Sequence, residues 1–240
     1  KVIESKLGHM LLMLPLTLKD KSATTPDRIL VANTHLFYHP LAAHIRLIQM
    51  YAICWQFGKL RSKDQQRPCP MILCGDMNSS LRRAAGYLLI HRHVLPNHTQ
   101  IREHFNTFEW NDRDSNEENC PSSGEGKSGN MRIEHLEPDG APEEHWEDFP
   151  KIELPDHFPT FLAGYPIEPA FTHYLTVFSA SLDHIFVSQC SEQNPFGLAP
   201  LRSAPMPTLA EVTEDVAMPS KKLPSDHISL VADLNFTKYS

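Results

Sequence analysis

The stretch Met71-Ile72-Leu73-Cys74-Gly75-Asp76-Met77-Asn78 joins an apolar run to two polar side chains. The apolar residues at its start predict a short buried strand, and Gly75 is expected to end that strand because glycine turns without a Cβ clash. Asp76 and Asn78 are two residues apart, so on extended backbone they would project from one face. Their oxygens suit a hard cation such as Mg²⁺, or could hold a water or a phosphate oxygen. The same pattern also caps helices and closes turns, so the motif alone leaves these alternatives open.

Two further apolar runs carry polar residues at an end. Residues 28–35 predict a strand that finishes in a polar triplet containing His35, and residues 181–187 predict one with Asp183 near its start. Side chains of this kind cost free energy when they are buried without partners. Several strands that each present one at an end therefore indicate a functional site more than a packing pattern.

A fourth polar cluster lies near the C-terminal end of the sequence. Asp226 and His227 precede residues 228–234, which predict a strand, so both are expected at a loop-to-strand junction where scaffolds often place chemistry. Histidine is the side chain best able to exchange a proton near neutral pH. This cluster therefore supplies a candidate acid/base group.

Taken in chain order, these motifs resemble the endonuclease/exonuclease/phosphatase superfamily. Its signatures stand here as Asn33-Thr34-His35-Leu36, Gly75-Asp76-Met77-Asn78, Ser181-Leu182-Asp183-His184-Ile185-Phe186 and Ser225-Asp226-His227. Residues 33–40, 45–50 and 168–174 are similar to the deadenylase branch of that superfamily, and within it to the 2′,5′-phosphodiesterase type. The resemblance covers most of the chain except about residues 101–143.

The resemblance implies an α/β fold, a four-layer αββα sandwich with two central sheets. Residues 1–240 are expected to be the C-terminal part of one such domain, with the N-terminal half missing and a flexible acidic insertion at about residues 101–143. The family's principal metal-binding glutamate would lie in that missing half, since Glu4 lacks the surrounding family sequence. The chain by itself is therefore expected to be inactive.

The activity that the resemblance implies is that of a Mg²⁺-dependent phosphodiesterase and 3′-exoribonuclease, with Mn²⁺ as an alternative ion. Such an enzyme would release AMP from 2′,5′-oligoadenylate and poly(A) tails, so its partners would be RNA 3′ ends or oligoadenylate. Two alternatives stay open, an mRNA deadenylase of the Angel or carbon catabolite repressor type and a catalytically dead relative that binds RNA or protein. The expected location is the mitochondrial matrix, with the cytoplasm or nucleus as alternatives.

The resemblance also implies residue roles. The catalytic set would be Asp76, His227, His35 and Asp183. In that set Asp76 binds the metal or accepts a proton from water, His35 donates to a phosphate oxygen, and Asp183 orients His227. The metal ligands would be Asp76, Asn78 and Asp226.

Four residues would contact the substrate, namely Asn78, Pro40, His173 and Phe178. Phe178 would stack on an adenine, a contact worth about 1–3 kcal/mol. His173 stands where the branch has asparagine. This departure affects base discrimination, because an amide offers a fixed donor and acceptor whereas imidazole must choose a tautomer.

Composition limits the class of protein. The hydrophobic fraction of 41% and the charged fraction of 21% are typical of a globular domain. A net charge of −7 argues against a broad nonspecific grip on nucleic acid, but not against a pocket that reads a short 3′ end. The five cysteines are odd in number and show no Cys-x-x-Cys spacing, which argues against a zinc site or a disulfide framework and favours a reducing compartment. No apolar run approaches the length needed to span a bilayer.

Two helices and a loop are also predicted. Residues 42–60 predict a helix with one core-facing stripe, and that stripe consists of Ile45, Ile48, Ala52 and Trp55. A second helix is expected to begin at a cap on Ser79 or Ser80 and to run to about Arg92. Residues 191–219 are rich in proline and predict a loop.

Overall fold

The computed structural model describes residues 11–19, 25–62, 69–98, 151–156 and 158–240. Glu4 and the predicted acidic insertion at about residues 101–143 lie outside the described residues. None of the helices among the described residues has both the length and the apolar character needed to cross a membrane.

The described elements alternate short strands with three helices. In chain order they are β1 (Leu11–Thr17), β2 (Arg28–His35), α1 (Ala43–Ser62), β3 (Met71–Asp76), α2 (Ala84–His91), β4 (His93–Val94), β5 (Ile152–Glu153), β6 (Phe161–Ala163), β7 (His173–Leu175), β8 (Phe178–Ala180), β9 (Asp183–Ser188), β10 (Phe196–Ser203), α3 (Leu209–Val212) and β11 (Ala232–Lys238). The main sheet has the order β1-β2-β3-β9-β6, and only its β2–β3 pair is parallel. Strands β10 and β11, β4 and β5, and β7 and β8 form three antiparallel pairs.

One face of the main sheet packs against α1 and α2 and forms the core. The fully buried side chains there are Ala32, Leu73, Phe161 and Phe186 from the strands and Met50, Phe57, Leu88 and Leu89 from the helices. Strand β2 alternates in the expected way, because Ala32 and Thr34 are buried whereas Asn33 and His35 between and after them are exposed. The strands predicted around Asp76, His35 and Asp183 are therefore confirmed.

The predicted core stripe of α1 is wrong. Of its four residues only Ile45 is buried, whereas Ile48 is 46% exposed, Trp55 is 53% exposed and Ala52 is also exposed. The buried face instead runs through Leu47, Met50, Cys54 and Phe57. Apolar residues occur on both sides of this helix, so helical spacing alone allowed two stripes, and the one that contains Phe57 packs on the sheet.

The predicted cap of α2 is also wrong. The helix begins at Ala84, and Arg83 occupies the N-cap position without a side-chain hydrogen bond. Just upstream, the backbone N–H of Leu81 donates to Glu168 Oε1 at 2.6 Å, so a distant carboxylate stabilises the preceding turn. The C-terminal end was placed well, because Arg92 is the C-cap and has φ 64°.

The region after β9 is more regular than predicted. Residues 191–219 contain β10 and α3, so the prediction of a loop there is wrong. Pro200 lies beside a register shift in β10, which is where a sheet tolerates proline. A capping box between Thr208 and Glu211 begins α3. The last strand starts at Ala232, so the prediction of a strand from residue 228 was four residues too early.

Gly75 lies within β3 and does not end it. Its φ is 133°, and a Cβ added there would lie 1.9 Å from the carbonyl oxygen of Thr34 on β2. The glycine is therefore required by the close approach of two parallel strands immediately before Asp76.

Candidate active site

Three strands bring polar side chains to one edge of the main sheet. Because β2 and β3 are parallel, both end at this edge, and antiparallel β9 begins there. The register pairs His35 with Asp76 and Asp76 with Asp183. Side chains at paired positions share a face of the sheet, so the three form a row across neighbouring strands. The edge therefore gathers residues that are far apart in the sequence.

Asp76 is the central side chain of this row. It is 15% exposed, and its Oδ2 lies 3.4 Å from His35 Nε2 and 3.9 Å from His227 Nε2. Its Oδ1 accepts a hydrogen bond from the backbone N–H of Asn78 at 2.8 Å. Burial raises the pKa of Asp76, and the nearby charge of Asp183 adds to this effect, whereas the Asn78 bond and the two histidines oppose it. A cation beside Asp76 would relieve this unfavourable charge.

The predicted Asp183–His227 pair lies at hydrogen-bond distance. His227 Nδ1 donates to Asp183 Oδ2 at 2.8 Å, which leaves Nε2 facing Asp76. Burial lowers the pKa of His227, but the hydrogen bond and charge of Asp183, with Asp76 and Asp226, outweigh burial and raise it overall. The carboxylate therefore fixes the tautomer of the ring and favours its protonated form.

Thr172 positions this pair, and the sequence analysis gave it no role. Its side chain is fully buried, and Oγ1 donates to Asp183 Oδ2 at 2.7 Å. The same oxygen accepts the backbone N–H groups of Leu182 and Asp183, each at 2.9 Å. Thr172 thus holds both the backbone and the carboxylate of Asp183. Its position next to His173 in a motif was the only sequence signal for it.

Backbone hydrogen bonds hold the segment of His227 against β7. His227 forms an antiparallel bridge with His173, and the N–H of Tyr174 donates to the carbonyl of Asp226 at 3.1 Å. The N–H of Ile228 donates to the carbonyl of Thr172 at 2.8 Å. Residues 226–228 are therefore fixed to the same segment that fixes Asp183.

His173 and Phe178 lie together, as the substrate-contact prediction requires. Their ring centroids are 5.4 Å apart, and Phe178 is 47% exposed whereas His173 is only 7% exposed. His173 Nε2 lies 3.4 Å from Asp226 Oδ2, and its ring centroid lies 4.8 Å from that of His227. Phe178 therefore offers an accessible aromatic face beside His173.

The three predicted metal ligands are not brought together as one group. Asp76 lies with Asp183 and His227, whereas Asp226 lies with His173 and His227. Asn78 adopts φ 46° and not extended backbone, and its side-chain nitrogen donates to the carbonyl of Leu36 at 2.9 Å. The prediction that Asp76 and Asn78 share an extended face is therefore wrong, because the chain turns sharply between them.

Pro40 lies in the loop between His35 and α1, and buried Arg46 organises that loop. Arg46 Nη1 donates to the carbonyls of Phe37 and His39, and Nη2 donates to that of Pro40 at 3.1 Å. Burial and, to a smaller extent, the charge of Arg83 lower the pKa of Arg46 to about 10, against the opposing effect of Asp76. The helix thus fixes the predicted substrate loop through one guanidinium.

The donor set at the strand edge fits a divalent cation. Ligand atoms of Asp76, Asp183 and His227 lie within 4.8 Å of one another, and two of the three are carboxylates. Hard cations such as Mg²⁺ prefer carboxylate oxygens, and a cation here would offset the burial and the Asp183 charge that raise the pKa of Asp76. These residues can therefore help to hold such an ion.

Comparisons with known proteins show which family the chain is related to. The chain is 30% identical over 224 residues to 2′,5′-phosphodiesterase 12 of Homo sapiens, a match that covers 93% of this chain and 29% of that protein. It is 31% identical over 209 residues to 2′,5′-phosphodiesterase 12 of Bos taurus, covering 87% of this chain and 26% of that protein. The chain therefore spans less than a third of the length of these relatives. No protein-family model matches it.

The fold is also that of a solved structure. ANGEL2, a 2′,3′-cyclic phosphatase in complex with adenosine-2′,3′-vanadate, superposes with a TM-score of 0.62 at 18% identity, covering 95% of this chain and 61% of that chain. The chain belongs to the endonuclease/exonuclease/phosphatase superfamily, in its deadenylase branch. The predicted family and α/β fold are confirmed, and the chain covers part of the neighbour's fold.

Proposed function

We propose that this chain supplies part of the active site of a metal-dependent phosphodiesterase that releases AMP from 2′,5′-oligoadenylate and poly(A) tails. The proposal is carried by the two contacts of the His227 ring. Nδ1 donates a hydrogen bond to Asp183 Oδ2 at 2.8 Å, and Nε2 lies 3.9 Å from Asp76 Oδ2. A buried carboxylate beside an oriented imidazole is a combination suited to proton transfer at a phosphate. The similarity to 2′,5′-phosphodiesterase 12 supports the substrate class.

Each side chain has a distinct task in this reaction. Asp183 holds the Nδ1 proton of His227, so that Nε2 can donate to a phosphate oxygen or to the leaving oxygen. Asp76 Oδ2, 3.9 Å from that nitrogen, accepts a proton from the attacking water. His35 is 65% exposed at the same edge, where its ring would donate to a phosphate oxygen. These roles place proton donors and an acceptor within a few ångströms of one another at the strand edge.

Asp76, Asp183 and the nearby Asn78 would help to hold Mg²⁺, with Mn²⁺ as an alternative ion and Asp226 as an outer partner. Such an ion would neutralise charge on the phosphate oxygens and lower the pKa of a bound water. Phe178 would stack on the terminal base, while Pro40 and His173 would border it. We also propose the mitochondrial matrix as the location, on the family resemblance alone, and cell fractionation of the full-length protein would test it against the cytoplasm and nucleus.

The test is Mg²⁺-dependent release of AMP by the full-length protein from 2′,5′- and 3′,5′-linked oligoadenylate. We expect His227→Ala to lose about 10²–10⁴-fold in rate, whereas His91→Ala, at an exposed position of α2, keeps the wild-type rate. Tight binding of oligoadenylate without any release of AMP would contradict the proposal and favour the catalytically dead alternative.

A deadenylase specificity is the second candidate, and a local similarity favours it. Over 73 residues the chain is 40% identical to protein angel homolog 2 of Bos taurus. The ratio of rates on the two linkages decides between the candidates. Preference for the 2′,5′ linkage supports the first proposal, and hydrolysis of 3′,5′-linked poly(A) alone supports the second.

A further inference from the structure

A second group of ligand-type side chains lies beside the proposed catalytic row. It consists of His173, Asp226 and His227, and one ligand atom of each lies within 4.8 Å of the other two. The side chain of His173 is 9% exposed, and its Nε2 lies 3.4 Å from Asp226 Oδ2. Its Nδ1 is buried and has no hydrogen-bond partner among the described residues, so the polar contacts of this ring depend on Nε2.

The separation of His173 and Asp226 suits a small tetrahedral cation. Zinc binds imidazole nitrogen and carboxylate oxygen at about 2.0–2.2 Å, so two ligand atoms around one ion stand roughly 3.3–3.5 Å apart. The 3.4 Å separation of His173 Nε2 and Asp226 Oδ2 is in that range. Two imidazoles and one carboxylate also form a donor set that zinc-class metals favour and that Mg²⁺, which prefers oxygen, does not.

The tautomer of His227 suits such a ligand. Its Nδ1 donates to Asp183 Oδ2 at 2.8 Å, which leaves Nε2 as the nitrogen available to a metal. A carboxylate that holds the far nitrogen of a metal-binding histidine is the usual outer partner in zinc sites. This site contains no cysteine, so the cysteine spacing that argued against a zinc site in the sequence analysis does not bear on it.

We propose that His173, Asp226 and His227 form a binding site for Zn²⁺ and similar transition metals, and that its occupancy inhibits hydrolysis. Inhibition follows because Nε2 of His227 cannot hold a metal ion and serve a phosphate at the same time. The inhibitory part rests on the proposed function, whereas the binding part does not. Because His173 is the ligand in this group that belongs neither to the proposed catalytic set nor to the proposed Mg²⁺ ligands, it distinguishes this site from the Mg²⁺ site.

Metal binding is tested first, without substrate. Full-length protein stripped of metal is titrated with Zn²⁺ against a chromophoric chelator, and with Co²⁺ to record the visible bands of a tetrahedral ion. We expect His173→Asn and Asp226→Asn each to weaken Zn²⁺ binding at least about tenfold and to abolish the Co²⁺ bands. The matched control His91→Asn should keep both, and circular dichroism confirms that each variant is folded. Equal Zn²⁺ affinity in all four proteins would overturn the site.

Inhibition is tested next, at fixed Mg²⁺ and relative to the uninhibited rate of each protein. The Zn²⁺ concentration for half-inhibition should rise at least about tenfold in His173→Asn and stay unchanged in His91→Asn. Zn²⁺ binding that depends on His173 but leaves the rate of an active enzyme unchanged would overturn the inhibitory role. The same binding in a protein that hydrolyses neither oligoadenylate would support the metal site while contradicting the proposed function.

Discussion

The two faces of the main sheet differ sharply, although their residues alternate along the same strands. On one face Ala32, Leu73 and Phe186 are fully buried beneath the helices. At the end of the other face, His35, Asp76 and Asp183 form a row across three strands. The packed face therefore fixes the strand register, and that register aligns the polar row. The residues that stabilise the fold and those of the candidate site thus lie on opposite faces of the same strands and not in separate regions of the sequence.

Neighbouring residues on β9 show the same division. Asp183 belongs to the row and raises the pKa of His227 through its hydrogen bond. His184, the next residue, is 5% exposed on the opposite face, and its Nε2 donates to the carbonyl of Ser79 at 2.8 Å. Burial lowers the pKa of His184 and so favours the neutral ring, which has a structural hydrogen bond. The face on which a histidine lies decides its role more than its residue type does.

Asp76→Asn should give the largest effect, a loss of activity at the polar face without a loss of stability from the packed face. We expect loss of about 10²–10⁴-fold in the rate of AMP release, because the amide can neither accept the proton of water nor hold a cation well. The melting temperature should stay the same or rise slightly, since burial and Asp183 already disfavour the charge that is removed. Asp215→Asn, at an exposed position, is the matched control. A folded Asp76→Asn protein with normal turnover would show that Asp76 has no catalytic or metal-binding role.

Gly75→Ala should lower both the stability that the packed face provides and the activity of the polar row. A Cβ would lie 1.9 Å from the carbonyl oxygen of Thr34, and φ 133° is disfavoured for alanine. We expect the free energy of unfolding to fall by about 3 kcal/mol or more, and activity to fall with it because β2 and β3 must separate. Gly58→Ala, inside α1, should leave stability unchanged or raise it by about 1 kcal/mol. Chemical denaturation measures both, and equal stability of the two variants would show that β2 and β3 are not so closely paired.

Thr172→Val should affect the site and leave the packed face intact. The substitution keeps the shape but removes the acceptor of two backbone N–H groups and the donor to Asp183. We expect a loss of about 2 kcal/mol in stability, because buried N–H groups are left unpaired, together with a lower kcat at similar KM. Thr172→Ser keeps the hydroxyl and should restore kcat. Failure of serine to restore kcat would mean that packing of the methyl group, and not the hydroxyl, matters.

The sequence could predict the strands of the row, since each is a short apolar run followed or preceded by a polar motif. It could also predict that Asp183 pairs with His227, through the family resemblance. It could not predict where Asp226 lies, because the contact with His173 depends on how residues 226–228 bridge β7. Nor could it show the turn at Asn78, since the spacing of Asp76 and Asn78 is compatible with extended or turned backbone.

The helical errors have a related cause. Apolar residues surround α1, so only contact with the sheet selects Phe57 over Trp55 as a core residue. At α2, Glu168 stabilises the turn before the helix from 87 residues further along the chain, which no local pattern can reveal. Contacts between segments that are distant in the sequence therefore decide the core face of α1, the start of α2 and the position of Asp226, which local patterns could not predict.

The smallest expected effect concerns the pH dependence of stability. Asp183, with Asp76 and Asp226, raises the pKa of His227 above its usual value against the effect of burial. A group whose folded-state pKa is raised adds stability that is fully present below its unfolded pKa and is lost as the pH rises through the folded pKa. In the metal-free protein, the melting temperature should therefore fall as the pH rises through and just above the usual histidine range, between about pH 6 and 8. Asp183→Asn removes the main partner, so the ring's NMR titration should move to lower pH and this part of the slope should flatten. An unchanged titration of His227 in Asp183→Asn would show that the pair does not set its charge.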